Sequence, residues 1–80
     1  MANIKLSLRF PKELIDKPMI YQLSQDFDVI TNIRRANIDK EIGWMVLELS
    51  GEMDEIDKAI DDLIKKGVKV DPIGGDIVEG

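Results

Sequence analysis

Hydrophobic and polar residues alternate strictly near the start of the chain. Between positions 4 and 10 every second residue is apolar, which is the period of two expected of a strand with one buried face. The apolar positions are Ile4, Leu6, Leu8 and Phe10, and the polar positions between them are Lys5, Ser7 and Arg9. Pro11 ends this first strand, because proline cannot donate a hydrogen bond to a neighbouring strand.

Two later segments repeat their apolar residues at helical spacing instead. The first helix is predicted to begin at Asp16-Lys17-Pro18, where a capping-type residue is followed by proline. The second begins with an acidic first turn and ends at Lys65-Lys66-Gly67, and both ends suit the helix dipole. The apolar stripes are Met19, Ile20, Leu23 and Phe27 in the first helix, and Met53, Ile56, Ile60, Leu63 and Ile64 in the second.

Three further segments are predicted to be strands. Val29–Ile38 is rich in β-branched residues, but its apolar positions do not keep one parity, which indicates a bulge. A turn over residues 39–41 leads to Gly43–Leu49, so the second and third strands should form an antiparallel hairpin. Val68, Val70 and Pro72 mark a short fourth strand.

The order strand, helix, strand, strand, helix, strand predicts an α+β domain with a ferredoxin-like βαββαβ split sandwich, the ACT-like arrangement. Its four-stranded antiparallel sheet would carry two helices on one face. We expect a single domain over residues 1–80, with a core of about 4–73 and a flexible tail over 74–80. Because so short a chain buries only about 60 to 65% of its unfolded surface, a partner subunit would help to stabilise it.

Composition then removes several functional classes. The chain has no Cys and no His, which excludes disulfides, thiolate and imidazole nucleophiles, Cys-ligated iron–sulfur clusters and the usual zinc ligand sets. Its 11 basic and 16 acidic side chains give a net charge of −5, which disfavours nucleic acid as a partner. No apolar run suggests a signal peptide or a membrane span, so we expect no direct membrane insertion and a cytoplasmic location.

Landmarks over residues 4–73 resemble those of a known family. In chain order they are Leu8-Arg9-Phe10-Pro11, Pro18-Met19-Ile20, Asn32-Ile33, Gly43, Leu47-Glu48-Leu49-Ser50-Gly51, Ala59 with Leu63, and Gly67-Val68-Lys69-Val70. Their order and spacing are similar to the NIL domain, known as the C-terminal regulatory domain of methionine-importer ATPases and as an N-terminal partner of ferredoxin modules. The resemblance implies a non-catalytic domain that needs no cofactor. Residues 71–77 are similar to the segment leading into the Cys-rich module of ferredoxin-fused members, so the chain is either a free-standing relative or an excised segment.

The resemblance also implies a ligand site. In the transporter domains the asparagine equivalent to Asn32 is associated with a methionine site near the subunit interface, and an amide suits both the carboxylate and the ammonium of an amino acid. One position departs from the family pattern: Ile33 is followed by Arg34, where the family has leucine. Arg34 with Arg35 would suit a carboxylate, or would simply form a solvated basic strand edge.

Three more residues and one loop are candidates for the same pocket. Ligands of related regulatory folds lie where the loop after the first strand meets a neighbour, which points to Phe10, Pro11 and the following loop over residues 12–16. Met45 would offer a soft contact to a thioether. The alternative for these residues is ordinary core packing, and for Asn32 it is a local backbone hydrogen bond.

The sheet face away from the helices should carry two apolar residues among polar ones. These are Trp44 and Val46, and we expect them to form an interface with a subunit or a ligand. The alternative is that Trp44 lies across lysine and arginine stems. Acidic residues on the second helix are instead expected to pair with lysines four positions on, so we predict no metal site. The pairs are Asp54 with Lys58, Asp61 with Lys65 and Asp62 with Lys66.

Two functions from different classes fit these features. The first is a regulatory module that binds methionine or a related amino acid at a homodimer interface. The second is an interaction or dimerisation module that binds no small ligand and serves a ferredoxin, a transporter or an enzyme of sulfur-amino-acid metabolism. An enzyme is disfavoured, since Pro11-Lys12-Glu13-Leu14 does not resemble the phosphate-cradling loop that acylphosphatase chemistry requires.

Overall fold

The strands predicted from the hydrophobic pattern form one antiparallel sheet in the computed structural model. The structure describes residues 1–73 and the backbone of residues 78 and 79. The strands are β1 (Ala2–Phe10), β2 (Val29–Ile38), β3 (Gly43–Gly51), β4 (Lys69–Pro72) and β5 (Val78–Glu79). Their order is β2-β3-β1-β4, and β5 pairs with β1. The central pair is β1 with β3, aligned from Ala2 opposite Gly51 to Phe10 opposite Gly43.

Two helices cover one face of this sheet, as the sequence predicted. They are α1 (Met19–Asp26) and α2 (Met53–Lys65), and a 3₁₀ turn over Lys12–Leu14 precedes α1. The core lies between the helices and the sheet, and its largest fully buried side chains are Leu6, Leu8, Leu23, Leu47, Leu49, Ile56 and Leu63. Burying each such side chain contributes roughly 1.5–3 kcal/mol. The α+β ferredoxin-like βαββαβ fold is therefore confirmed.

The end of α2 is closed by a Schellman motif. The Val68 amide donates to the Leu63 carbonyl at 3.0 Å, and the Gly67 amide donates to the Ile64 carbonyl at 3.1 Å. Gly67 adopts a φ of 101°, a conformation that glycine reaches without the steric cost of a side chain. This turn directs the chain from α2 into β4, which lies beside β1.

The predicted irregularity of β2 is a bulge at Arg34. Ile33 pairs with Leu47, but the next pair along the strand is Arg35 with Val46. The extra residue places Arg35 on the face away from the helices and returns Ile38 to the helix side. The bulge therefore decides which β2 side chains belong to each face.

The C-terminal region differs from the predicted tail over 74–80. Residues 78 and 79 form β5, in which Val78 lies opposite Asn3 and Glu79 opposite Ala2. Residues 74–77 and 80 lie outside the described part of the chain. Where described, the C-terminal residues therefore extend the sheet beside β4.

Candidate functional site

The residues predicted to bind a ligand fall on two sides of the sheet. Asn32 pairs with Glu48 and faces away from the helices, and Arg34 reaches the same side, where its guanidinium lies 3.9 Å from the Glu48 carboxylate. Ile33, in contrast, pairs with buried Leu47 on the helix side. Asn32 and Phe10 therefore cannot contact one small ligand within a single chain.

Phe10 and Met45 are buried on the helix side and line an apolar groove there. The groove has a volume of about 180 Å³. Its lining comes from the end of β1, the turn before α1, the start of α1 and the hairpin ends of β2 and β3. The lining residues are Phe10, Leu14, Ile15, Lys17, Pro18, Met19, Ile20, Tyr21, Ile38, Gly43 and Met45. Pro11 lines a different depression, with Arg9 and Ile42. The groove thus unites two of the six predicted residues.

A missing side chain keeps part of the groove open. Gly43 lies between Phe10 of β1 and Ile38 of β2 on the helix-side face of the sheet. A Cβ at this position would lie 3.4 Å from the Phe10 Cβ and 3.5 Å from the Ile15 side chain, so even a methyl group would occupy groove volume. Glycine leaves the floor of the groove open at this position.

Charged side chains flank the apolar floor. Lys17 lines the groove itself, and Asp16 lines an adjoining depression that shares Ile15 and Ile38 with it. An amino acid carries an ammonium and a carboxylate beside its side chain. An apolar groove with a cationic and an anionic residue at its margins matches that combination. The sequence pointed to the loop over residues 12–16, which contains Ile15, but not to Lys17 or Ile38, because only the folded chain brings these two beside Phe10.

The hairpin turn beside the groove is held by Asp39. Its carboxylate accepts hydrogen bonds from the amides of Glu41 at 2.8 Å and Ile42 at 2.9 Å. The hydrogen bond from Ile42, followed by that from Glu41, lowers the pKa of Asp39 below its ordinary 3.8. Asp39 is therefore ionised at neutral pH, and the turn that presents Ile38 and Gly43 keeps both hydrogen bonds.

Strand β2 forms an edge of the sheet and carries apolar side chains in solvent. Ile30, Ile33 and Ile38 are 62%, 50% and 52% exposed. At ten residues β2 is longer than a typical strand, and an edge strand presents unpaired amide and carbonyl groups. Ile38 belongs both to this edge and to the groove, so a partner on the edge would also contact the groove.

Trp44 and Val46 lie on the sheet face away from the helices, as predicted, and both are partly buried.

The acidic face of α2 carries ion pairs, at 3.0 Å for Asp61 with Lys65 and 2.9 Å for Asp62 with Lys66. The predicted pair of Asp54 with Lys58 does not form. Lys58 lies instead 3.2 Å from Glu55, whose carboxylate also accepts a hydrogen bond from the Asp28 amide.

Among residues 1–73, no group of three or more Asp and Glu side chains is placed to hold a metal ion. In the same part of the chain, neither helix has the length and apolar character needed to cross a membrane.

The fold defines the class of this protein. A βαββαβ sheet with two helices on one face is a ferredoxin-like, ACT-like α+β architecture. Residues 5–72 match the NIL domain, and the chain belongs to the NIL domain family.

Similar proteins agree with this assignment. The chain is 33% identical over 73 residues to the methionine import ATP-binding protein MetN of Aliivibrio fischeri, a match covering 86% of this chain and 21% of that protein. It is 39% identical over 67 residues to MetN of Chlamydia caviae, covering 79% and 20% respectively. The chain thus spans about a fifth of the length of these curated relatives. A crystal structure of the C-terminal domain of an ABC transporter ATP-binding protein from Enterococcus faecalis matches with a TM-score of 0.79 and 28% identity, covering 91% of this chain and 86% of that one.

Proposed function

We propose that this domain is a non-catalytic regulatory module that binds methionine or a related amino acid at a homodimer interface. Membership of the NIL family supports the proposal, as does similarity to proteins named for methionine import. Binding regulates a partner by favouring one subunit arrangement, which requires the ligand to contact the two arrangements differently. The cytoplasmic location expected from the sequence belongs to the same proposal, since those relatives are named as ATP-binding proteins.

The apolar groove is the observation that carries this proposal. Its volume of about 180 Å³ is below the roughly 300–1,000 Å³ of typical ligand pockets, so it suits the side chain of a small ligand. Met45 and Met19 line it with thioethers, which adapt well to another thioether. In this proposal Lys17, which lines the groove, meets the carboxylate of the ligand, and Asp16 in the adjoining depression meets its ammonium.

A second copy of the chain completes the site along β2. The exposed isoleucines of this edge would be covered by the same residues of the partner, because a twofold interface uses one patch on both subunits. Strand pairing along β2 would satisfy the free amide and carbonyl groups of the edge. Asn32 and Arg34 then lie at the subunit boundary, close to the partner rather than in the groove of their own chain.

Calorimetric titration of the full chain with methionine tests this function, with leucine as the control ligand. We expect saturable binding that prefers methionine. Gly43→Ala fills part of the groove and should weaken binding by about tenfold or more. Lys17→Gln should also weaken it, whereas Lys65→Gln on α2 serves as the control with the same loss of charge. Circular dichroism verifies that each variant is folded.

Three results would contradict this assignment in whole or in part. Absence of saturable heat at millimolar methionine would refute the sensor. Equal affinity of wild type and Gly43→Ala would refute the groove as its site. If Asn32→Ala alone abolishes binding, the ligand lies on the opposite side of β2.

One observation favours a second function. Trp44 and Val46 remain partly exposed on the open face of the sheet, which suits an interaction module that binds no small ligand. A transporter ATPase, a ferredoxin or an enzyme of sulfur-amino-acid metabolism is the partner in that case. Assembly that withstands Gly43→Ala and Asn32→Ala but fails with Trp44→Glu would support this function over the sensor.

A further inference from the structure

The sheet face away from the helices, called here the open face, is basic although the chain is acidic. Register places four cross-strand rows on it: Lys69, Arg9, Trp44 and Asn37; then Asp71, Ser7, Val46 and Arg35; then Lys5, Glu48 and Asn32; then Asn3, Ser50 and Ile30. Arg34 joins them at the bulge. Five basic and two acidic side chains give this face a net charge of +3. Since the whole chain carries −5, all other residues together carry −8.

Most basic side chains on the open face lack the ion pairs that most basic residues elsewhere form. Off this face, four of the six lysines lie within 4.0 Å of a carboxylate, namely Lys12, Lys58, Lys65 and Lys66, while Lys17 and Lys40 form no such pair within the described residues. On it, Arg34 is paired with Glu48 at 3.9 Å. Within the described residues, the remaining four have no carboxylate at ion-pair distance, namely Lys5, Arg9, Arg35 and Lys69. The domain therefore has unpaired positive charge concentrated on one surface.

One cross-strand pair on the open face opposes folding. Arg9 of β1 and Lys69 of β4 lie directly opposite each other. Like charges at such positions destabilise a sheet. An anionic group bound between them would remove the repulsion. The domain should therefore be more stable with such a group bound to this surface than without it.

An apolar anchor lies among these charges. The indole N–H of Trp44 donates a hydrogen bond to the Ser7 hydroxyl at 3.2 Å, which draws the ring across β1. Val46 follows on the same side of β3. A fixed aromatic ring beside arginine is the composition of an interface hot spot. The open face thus combines an oriented apolar centre with a basic surround.

We propose that the open face is a docking surface for an acidic protein, one that presents carboxylates around an apolar side chain. The inference does not depend on a small ligand in the groove, which lies on the other side of the sheet. A twofold pairing of two open faces would bring positive charge against positive charge. Nucleic acid is a poorer match, because Glu48 and Asp71 lie on this face, Trp44 is its single aromatic residue, and the net charge repels a polyanion.

The single tryptophan of the chain reports on this surface directly. The full chain is titrated with a short synthetic peptide that carries glutamates on both sides of a central leucine pair, while Trp44 fluorescence and amide chemical shifts are recorded. The matched peptide has glutamine in place of every glutamate. We expect shifts that cluster on the open face, with binding at least about tenfold weaker for the glutamine peptide.

Two double variants distinguish the effect of charge on the open face from the effect of the net charge of the chain. Arg9→Glu with Lys69→Glu reverses the sign of the site but keeps a like-charged pair, so its effect on folding should be small. Lys40→Glu with Lys65→Glu makes the same change of net charge away from the face. We expect the first double variant to lose binding and the second to retain it, and Trp44→Ala to weaken binding without unfolding the chain.

Four outcomes would overturn the proposal. Shifts scattered over the helices would place the peptide elsewhere, and equal binding of the two peptides would show that charge does not recruit the partner. Tighter binding of single-stranded oligothymidylate than of the peptide would favour nucleic acid. Self-association that Arg9→Glu with Lys69→Glu disperses would instead identify a second copy, with its acidic helix face as the occupant.

Discussion

At the residue scale, the shape of the groove depends on one glycine. Gly43 lies between Phe10 and Ile38, and the absent side chain is what leaves space on the helix-side face. The sequence marks Gly43 as the start of β3 and predicts the hairpin that brings it near Ile38, but it does not show that Phe10 is its other cross-strand neighbour. Phe10 is 33 positions away in the chain, and only the strand register brings the two together.

Glu55 joins α2 to the start of β2, and its effect on stability should depend on pH. The hydrogen bond from the Asp28 amide, followed by that from Lys58, lowers its pKa below the ordinary 4.5. A carboxyl whose pKa is lowered by folding stabilises the fold fully above its ordinary pKa, and this contribution is lost as pH falls through the lowered value.

We therefore expect Glu55→Gln to destabilise the domain at neutral pH and to approach the wild type in strong acid. Urea unfolding at a series of pH values measures the difference. Asp57→Asn, an exposed carboxylate on the same helix, is the control and should show a much smaller gap. If the difference in unfolding free energy between the wild type and Glu55→Gln stays constant from neutral pH into strong acid, the ionised carboxylate is not the cause of the stabilisation.

At the element scale, local pattern was sufficient for most of the fold. Alternation gave β1, the 3.6-residue period gave both helices, and the parity break in β2 indicated its bulge. The 3₁₀ turn over Lys12–Leu14 and the pairing of β5 were not predicted, because neither has a hydrophobic period of its own. The two faces of β2 also required the structure, since the side chains after the bulge depend on where the extra residue is inserted.

The face of helix α2 that packs into the core can be tested directly. Leu63 is 1% exposed in the core, whereas its neighbour Ile64 is 53% exposed. We expect Leu63→Ala to lower the free energy of unfolding by about 2–5 kcal/mol, because it removes buried surface and leaves a cavity. Ile64→Ala should change it by no more than about 0.5 kcal/mol. Equal losses in chemical denaturation would mean that α2 packs in another orientation.

At the scale of the whole molecule, the domain has two distinct surfaces. The groove and the β2 residues Ile33 and Ile38 present apolar side chains on the helix side, while the open face carries unpaired basic residues. This separation explains why the predicted ligand residues could not all share one site. Met45 lies on the helix side and Asn32 on the open face, so these two predicted ligand residues occupy opposite faces of the sheet.

The central claim is that an amino acid binds where two copies of the chain meet. By linkage, a ligand that binds the dimer more tightly than the monomer must strengthen dimerisation to the same extent. Sedimentation velocity of the full chain, with and without saturating methionine, measures this coupling. We predict a dimer whose dissociation constant falls by about tenfold with methionine, equivalent to about 1.4 kcal/mol, and does not change with leucine. A monomer at every concentration, or a dimer that methionine leaves unchanged, would contradict the account.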